Sequence, residues 1–310
     1  MANRLADSQP EPAPQRRLAM ANRLVDSQPE PAPQRRLLFF VGLEGSGHHF
    51  WSAATRRLVA SGQLASSEKL SATLGRVFGA AGRVRMRAGS TDAGGRRAAS
   101  LELEKAKALA VSGLLQVSEE RCKRLCPSVV LNTPRLRLSY PNGSPGSYPD
   151  APLLASLCEG AGLDLRLVIL MRDPADCLVS AARRFGGSAK APPVATLSAY
   201  SKSMEHAMVT MSAQLDRLRG SMRPAYALFD EIGEKLQTRG LAHYAGVPFP
   251  VLEAAIQEVS QKHPPHAKRA RWRETGAALA PAFAGVYNLS ATLQPFSRFG
   301  FERALSAERL

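Results

Sequence analysis

The chain has 310 residues, 45% of them hydrophobic and 22% charged. That suits one large α/β domain or two small ones, with a core that needs neither disulfides nor a metal. Its formal net charge is +15, and an excess of this size suits a polyanionic partner: a nucleotide, a sulfated or phosphorylated substrate, a nucleic acid or an anionic membrane face. Residues 1–38 contribute only +2 of that charge, leaving +13 for the remainder. An arginine-rich composition in which Ala, Gly and Arg rise together accounts for the same excess without a partner. Aromatic residues make up 6% of the chain and do not interleave with the basic ones, which argues against a nucleic-acid surface. Cys122 and Cys126 have helical spacing but no second pair follows them, and Cys158 and Cys177 stand alone. This is a poor zinc pattern, and no metal is expected. The sequence as given has no secretory signal and no apolar run long enough to span a bilayer. It therefore reads as soluble and cytoplasmic, and an incomplete amino terminus would leave the Golgi lumen open.

The chain opens on a tandem repeat, residues 1–19 and 20–38, with two differences between the copies. Each copy starts with Met and is rich in Pro, Gln, Ser and charge, so neither can bury enough apolar surface to fold. Two units are too few for a solenoid; a recent duplication or an ambiguous start site explains them. Residues 1–36 are read as a disordered tail and 37–310 as the folded domain. Residues 37–43 form a short continuous apolar run, the pattern of a buried parallel strand. Residues 50–61 follow as a helix, with Phe50, Ala53, Ala54 and Leu58 on one face. Residues 79–100, rich in Gly, Ala and Arg, read as a mobile loop, and 101–125 as a helix.

A second strand begins at Val129, and a turn-rich stretch covers 139–150. A helix is expected at 152–160, the clearest strand of the chain at 165–171, and a helix at 175–185. A long helix at 198–218, a strand at 225–229 and a helix at 231–244, ending at Gly246, complete the pattern. Strands alternating with helices imply one three-layer α/β domain whose central sheet is mostly parallel.

Residues 41–49 carry the strongest local signal. A strand runs into Gly42-Leu-Glu-Gly-Ser-Gly-His-His and then into a helix. Glycines let the backbone turn sharply and approach an anion, and the helix that follows offers N–H groups and the positive end of its dipole. The spacing of Gly42 and Gly47 is that of a Walker-type loop. The lysine and hydroxyl residue that should come next are replaced by His48 and His49. Ordinary NTP hydrolysis needs that lysine on the β- and γ-phosphates and that hydroxyl on magnesium.

A second element, Leu170-Met-Arg-Asp-Pro, follows the strand at 165–171, with Ser180 on the next helix. An arginine at the carboxyl end of a parallel strand points towards the ligand crevice of an open α/β sheet. Arg172 and Ser180 would together offer a fork of donors and a hydroxyl. A glycine loop on the first strand, followed over a hundred residues later by R-D-P-x5-S, resembles the sulfotransferases that use 3′-phosphoadenosine-5′-phosphosulfate. The resemblance implies a P-loop NTPase-like fold. It implies that Gly45, Ser46, Gly47, His48 and His49 grip the 5′-phosphosulfate, and that Arg172 and Ser180 hold the 3′-phosphate. Phe229-Asp-Glu with the later Ala245-Gly-Val-Pro, and the basic segment 268–273 with Trp272 and Arg273 near the nucleotide, are weaker echoes. The resemblance runs from about residue 37 to 272. Cytosolic members usually carry Lys-Ser-Gly-Thr-Thr where this chain has Gly45-Ser-Gly-His-His.

Sulfuryl transfer asks for in-line positioning, cationic stabilisation of the leaving phosphate and a base for the acceptor. His48 is read as the phosphate contact, and Glu44 or His49 as the base. Asp230 is a further acidic candidate or the cap of the helix after it. His206, His243, His263 and His266 are read as structural or solvated. The expected activity is transfer of a sulfuryl group to a hydroxyl or amine, with a small molecule or glycan, including an anionic one, as acceptor. The acceptor region is placed at residues 79–100, 139–150 and 186–197. The alternatives are an inactive nucleotide-binding protein on the same scaffold and a P-loop kinase or NTPase.

Overall fold

The computed structural model describes residues 35–119, 128–131, 139–140, 148–172, 174–185 and 194–262. Among these, six strands form one sheet: β1 (Arg36–Leu43), β2 (Ala65–Ser66), β3 (Ser128–Leu131), β4 (Ser139–Tyr140), β5 (Asp164–Met171) and β6 (Ala225–Leu228). The sheet order is β2-β3-β1-β5-β6, and every pairing is parallel. Two-residue β4 lies on the β3 side of β1 but further along it, pairing Gly42 with Ser139 and Leu43 with Tyr140. The expectation of an α/β domain with a mostly parallel sheet is borne out.

The apolar runs behind β1 and β5 are continuous because both faces of the sheet are covered. On one face Leu37, Phe39, Val41 and Leu43 of β1 join Leu165, Leu167, Ile169 and Met171 of β5 in one core. Helices α2 (Glu68–Arg87), α3 (Ala93–Glu119), α4 (Ala151–Gly160), α5 (Pro174–Phe185) and α6 (Val194–Leu218) supply its other side. On the opposite face Leu38 and Phe40 of β1, with Val168 and Leu170 of β5, pack under α1 (His48–Ala60), α7 (Lys235–Ala245) and α8 (Phe249–Lys262). Alternation along each strand thus separates two cores, giving three layers.

Residues 79–100 correct the sequence reading. They are helical apart from a short break: α2 runs to Arg87 and α3 starts at Ala93. Ala80, Ala81 and Gly82 are buried in α2, where small side chains permit close packing, and alanine and arginine are strong helix formers. Asp92 caps the next helix, its Oδ1 accepting from Gly95 N at 2.9 Å. Helix α8 and the two shortest strands were not anticipated. Helix α7 starts later than expected, because β6 ends in a 3-10 turn at Phe229–Glu231 and Gly233 adopts φ +93°. Asp230 lies in that turn and Glu234 occupies the N-cap position, so Asp230 does not cap α7. Gly246 closes α7 in the left-handed conformation, as the sequence suggested. No helix among the described residues is long and apolar enough to cross a membrane.

Candidate functional site

The sheet order places a crevice before any side chain is considered. From β1 the chain crosses to β2 and returns to β3 beside β1; it then passes to the other side of β1 for β5 and β6. The carboxyl end of β1 is therefore a topological switch point, where open α/β sheets bind ligands. Residues 44–47 leave the sheet at that point. Gly42 is in register with Leu170, so Arg172 emerges from β5 alongside the loop.

Three glycines shape the loop, each against a different neighbour. A Cβ on Gly42 would stand 2.5 Å from the Leu170 carbonyl oxygen and 2.6 Å from Ser46 Oγ. Gly45, at φ +89°, would meet the Cys177 carbonyl oxygen of α5 at 2.7 Å. Gly47, at φ +100°, would meet the Phe229 ring at the end of β6 at 2.7 Å. Positive φ values at Gly45 and Gly47 also disfavour any L side chain. Ser46 N closes the turn on Leu43 O at 3.0 Å. Gly47 is the N-cap of α1 and makes no side-chain cap. An α-helix leaves its first N–H groups without partners inside the helix, so this loop and helix start have the form of an anion cradle.

His48 turns under the loop. Its Nε2 lies 3.1 Å from Leu43 O and 3.3 Å from Gly42 O. Carbonyl oxygens only accept, so Nε2 carries the proton and donates. Nδ1 is enclosed without a hydrogen-bond partner, and burial lowers the pKa from its ordinary 6.5, with Glu44 opposing the shift. His48 is thus a neutral imidazole that ties the loop to its own strand.

A polar cluster stands at the loop mouth. Glu44 Oε2 accepts from Ser139 Oγ at 2.7 Å, and Glu44 Oε1 lies 3.5 Å from Arg184 Nη1. The same Arg184 nitrogen contacts Nε2 of the exposed His49. A guanidinium only donates, so that ring nitrogen must accept and carries no proton. Glu44 and His49, the two candidate bases, are therefore brought together through one arginine.

Arg172 is the buried partner of the loop, its side chain only 5% exposed. It donates from Nη1 to Gly45 O at 3.1 Å and from Nη2 to Asp176 Oδ2 at 3.3 Å. Its Cζ lies 4.5 Å from the centroid of the Phe229 ring, a favourable cation–π placement. Ser180 sits half-buried on α5, two turns into the helix that follows. Sequence reasoning thus located the loop and Arg172 but missed the parts of Arg184 and Ser139, and named Phe229 only within a weaker echo. Helical spacing of Arg184 after Ser180 was the one available signal for Arg184; the other two are defined by contacts across strands. Trp272 and Arg273, with the rest of the basic segment, lie outside the described residues, as do Cys122, Cys126, His263 and His266. Cys158 and Cys177 are buried, and burial pushes the Cys158 thiol up to about 12.

The chain matches no protein-family model and no curated protein sequence.

Proposed function

We propose that this chain is a sulfotransferase that moves a sulfuryl group from 3′-phosphoadenosine-5′-phosphosulfate to an acceptor hydroxyl or amine on a small molecule or glycan. One observation carries the reading: the glycine loop and Arg172 meet at the ends of adjacent parallel strands, at the switch point of the sheet. Gly45, Ser46, Gly47 and the start of α1 would cradle the 5′-phosphosulfate. Arg172 and Ser180 would take the 3′-phosphate. A guanidinium has five donors, enough to hold the Gly45 carbonyl and an anion together. In the reaction the acceptor oxygen or nitrogen forms a bond to sulfur as the bond from sulfur to the 5′-phosphate oxygen breaks. The acceptor proton passes to Glu44 or His49. His48 has a different role from the phosphate contact expected of it: it braces the loop. Trp272 and Arg273 stay in the reading as nucleotide contacts.

The inward turn of His48 also favours a second reading, a scaffold that binds the nucleotide without turnover, because the loop then brings no cation to the leaving phosphate. A kinase or NTPase is disfavoured by the missing lysine and hydroxyl. The test is incubation of the full chain with radiolabelled donor and a panel of glycans, phenols and steroids, alongside calorimetry with adenosine 3′,5′-bisphosphate. Transfer supports the enzyme, and bisphosphate binding without transfer supports the inactive scaffold. Absence of both, or a thermal shift with magnesium-ATP alone, removes the proposal.

A further inference from the structure

The loop needs a cation that it does not contain. His48 is neutral and spends its N–H on backbone carbonyls. Arg172 is enclosed and engaged with Gly45, Asp176 and Phe229. Arg184 differs from both: its side chain is 51% exposed, it reaches the loop from α5, and it lies against Glu44 and His49.

We propose that Arg184 is the anion-binding cation of this site, resting on Glu44 and exchanging that carboxylate for the 5′-phosphate of a bound nucleotide. The inference rests on the nucleotide reading above and deepens it. Three features fit the exchange. The pair is long, at 3.5 Å, and its arginine is 51% exposed, so Glu44 holds that guanidinium loosely. A phosphate carries more charge than a carboxylate, and a guanidinium grips it with paired N–H donors. Glu44 keeps its Ser139 hydrogen bond when the arginine leaves, so the carboxylate stays in place. The helix that carries Arg184 is itself anchored, with Cys177, Leu178 and Ala181 buried and the Cys177 carbonyl against Gly45. Only the flexible side chain has to move.

Calorimetry on the full chain would compare adenosine 3′,5′-bisphosphate with adenosine 3′-monophosphate, which lacks the 5′-phosphate. Arg184→Ala should weaken the bisphosphate by about tenfold or more and leave the monophosphate unchanged, since one charge-assisted contact is lost. Arg184→Lys should recover part of the loss, and Glu44→Gln should tighten the bisphosphate by releasing the arginine. If Arg184→Ala binds the bisphosphate like the wild type, or weakens both nucleotides equally, Arg184 is a surface ion pair and the inference falls while the nucleotide reading stands. If the wild-type chain binds neither nucleotide, the nucleotide reading fails and this inference fails with it.

Discussion

Replacing Gly47 by alanine separates two costs that the structure superimposes. The residue sits at φ +100° and ψ 16°, where an L side chain costs about 1–2 kcal/mol in backbone terms. The added Cβ would also lie 2.7 Å from the Phe229 ring, and overpacking of this kind costs a further ~1–3 kcal/mol. The ring cannot simply retreat, because it is buried and lies against Arg172. Gly47→Ala should therefore destabilise the chain by about 2–5 kcal/mol, a large part of a typical domain's stability. Gly62 is the control: φ is +74°, but nothing lies within 4 Å of an added Cβ, so Gly62→Ala should cost only the ~1–2 kcal/mol backbone part. Urea denaturation gives both values, read as shifts in midpoint at unchanged slope. In a Phe229→Leu background the penalty at Gly47 should shrink towards that at Gly62, as a double-mutant cycle would show. Equal penalties at Gly47 and Gly62 in the wild-type background would refute the contact between the loop and Phe229.

Arg172→Ala should cost about 3 kcal/mol or more, because it removes a buried guanidinium that pairs with Asp176 and donates to the Gly45 carbonyl; Arg172→Lys should not restore the loss, since the forked geometry is gone. His48 gives a pH signature. Its folded pKa is below the unfolded value of 6.5, so the unfolded chain takes up the proton first as pH falls. Its contribution is present above pH 6.5 and is lost as pH drops below it. Urea midpoints taken between pH 7.5 and 5.5 should therefore fall less steeply for His48→Gln than for the wild type. Gln214 holds three buried groups, accepting from Tyr140 Oη at 2.7 Å and Ala151 N at 3.1 Å while donating to Pro149 O at 2.9 Å. Gln214→Leu should cost about 3 kcal/mol or more and Tyr140→Phe about 1–2 kcal/mol by the same denaturation assay.

Some of this was legible in the sequence and some was not, for identifiable reasons. The apolar runs of β1 and β5 announce themselves because a strand buried on both faces has no polar alternation to disguise it. The glycine loop is legible because a left-handed turn between a strand and a helix demands residues without a Cβ. Composition misled at residues 79–100, where glycine suggested a loop although alanine and arginine dominate and Asp92 supplies a cap. Helix α8 carried a readable pattern in Leu252, Ala255, Ile256 and Val259 that went unassigned. Strands β2 and β4 have two residues each and exist only through pairing, so no local pattern encodes them. Arg184 belongs to the same class: its neighbours Glu44 and His49 lie 140 and 135 residues away in the chain. The inward turn of His48 likewise depends on carbonyls that converge only once the loop is closed.

The three loop glycines have a kinetic consequence. Gly42 leans on β5, Gly45 on α5 and Gly47 on the ring at the end of β6, so the loop is wedged from three sides and has little room to rearrange. An arriving anion would meet donors already in position, with little ordering entropy left to lose. Capture should then proceed at the rate of encounter, quickened by the chain's positive field and slowed by salt. Any slow conformational step in a reaction cycle would fall on the acceptor side of the crevice, or on the side chain of Arg184, and not on the loop.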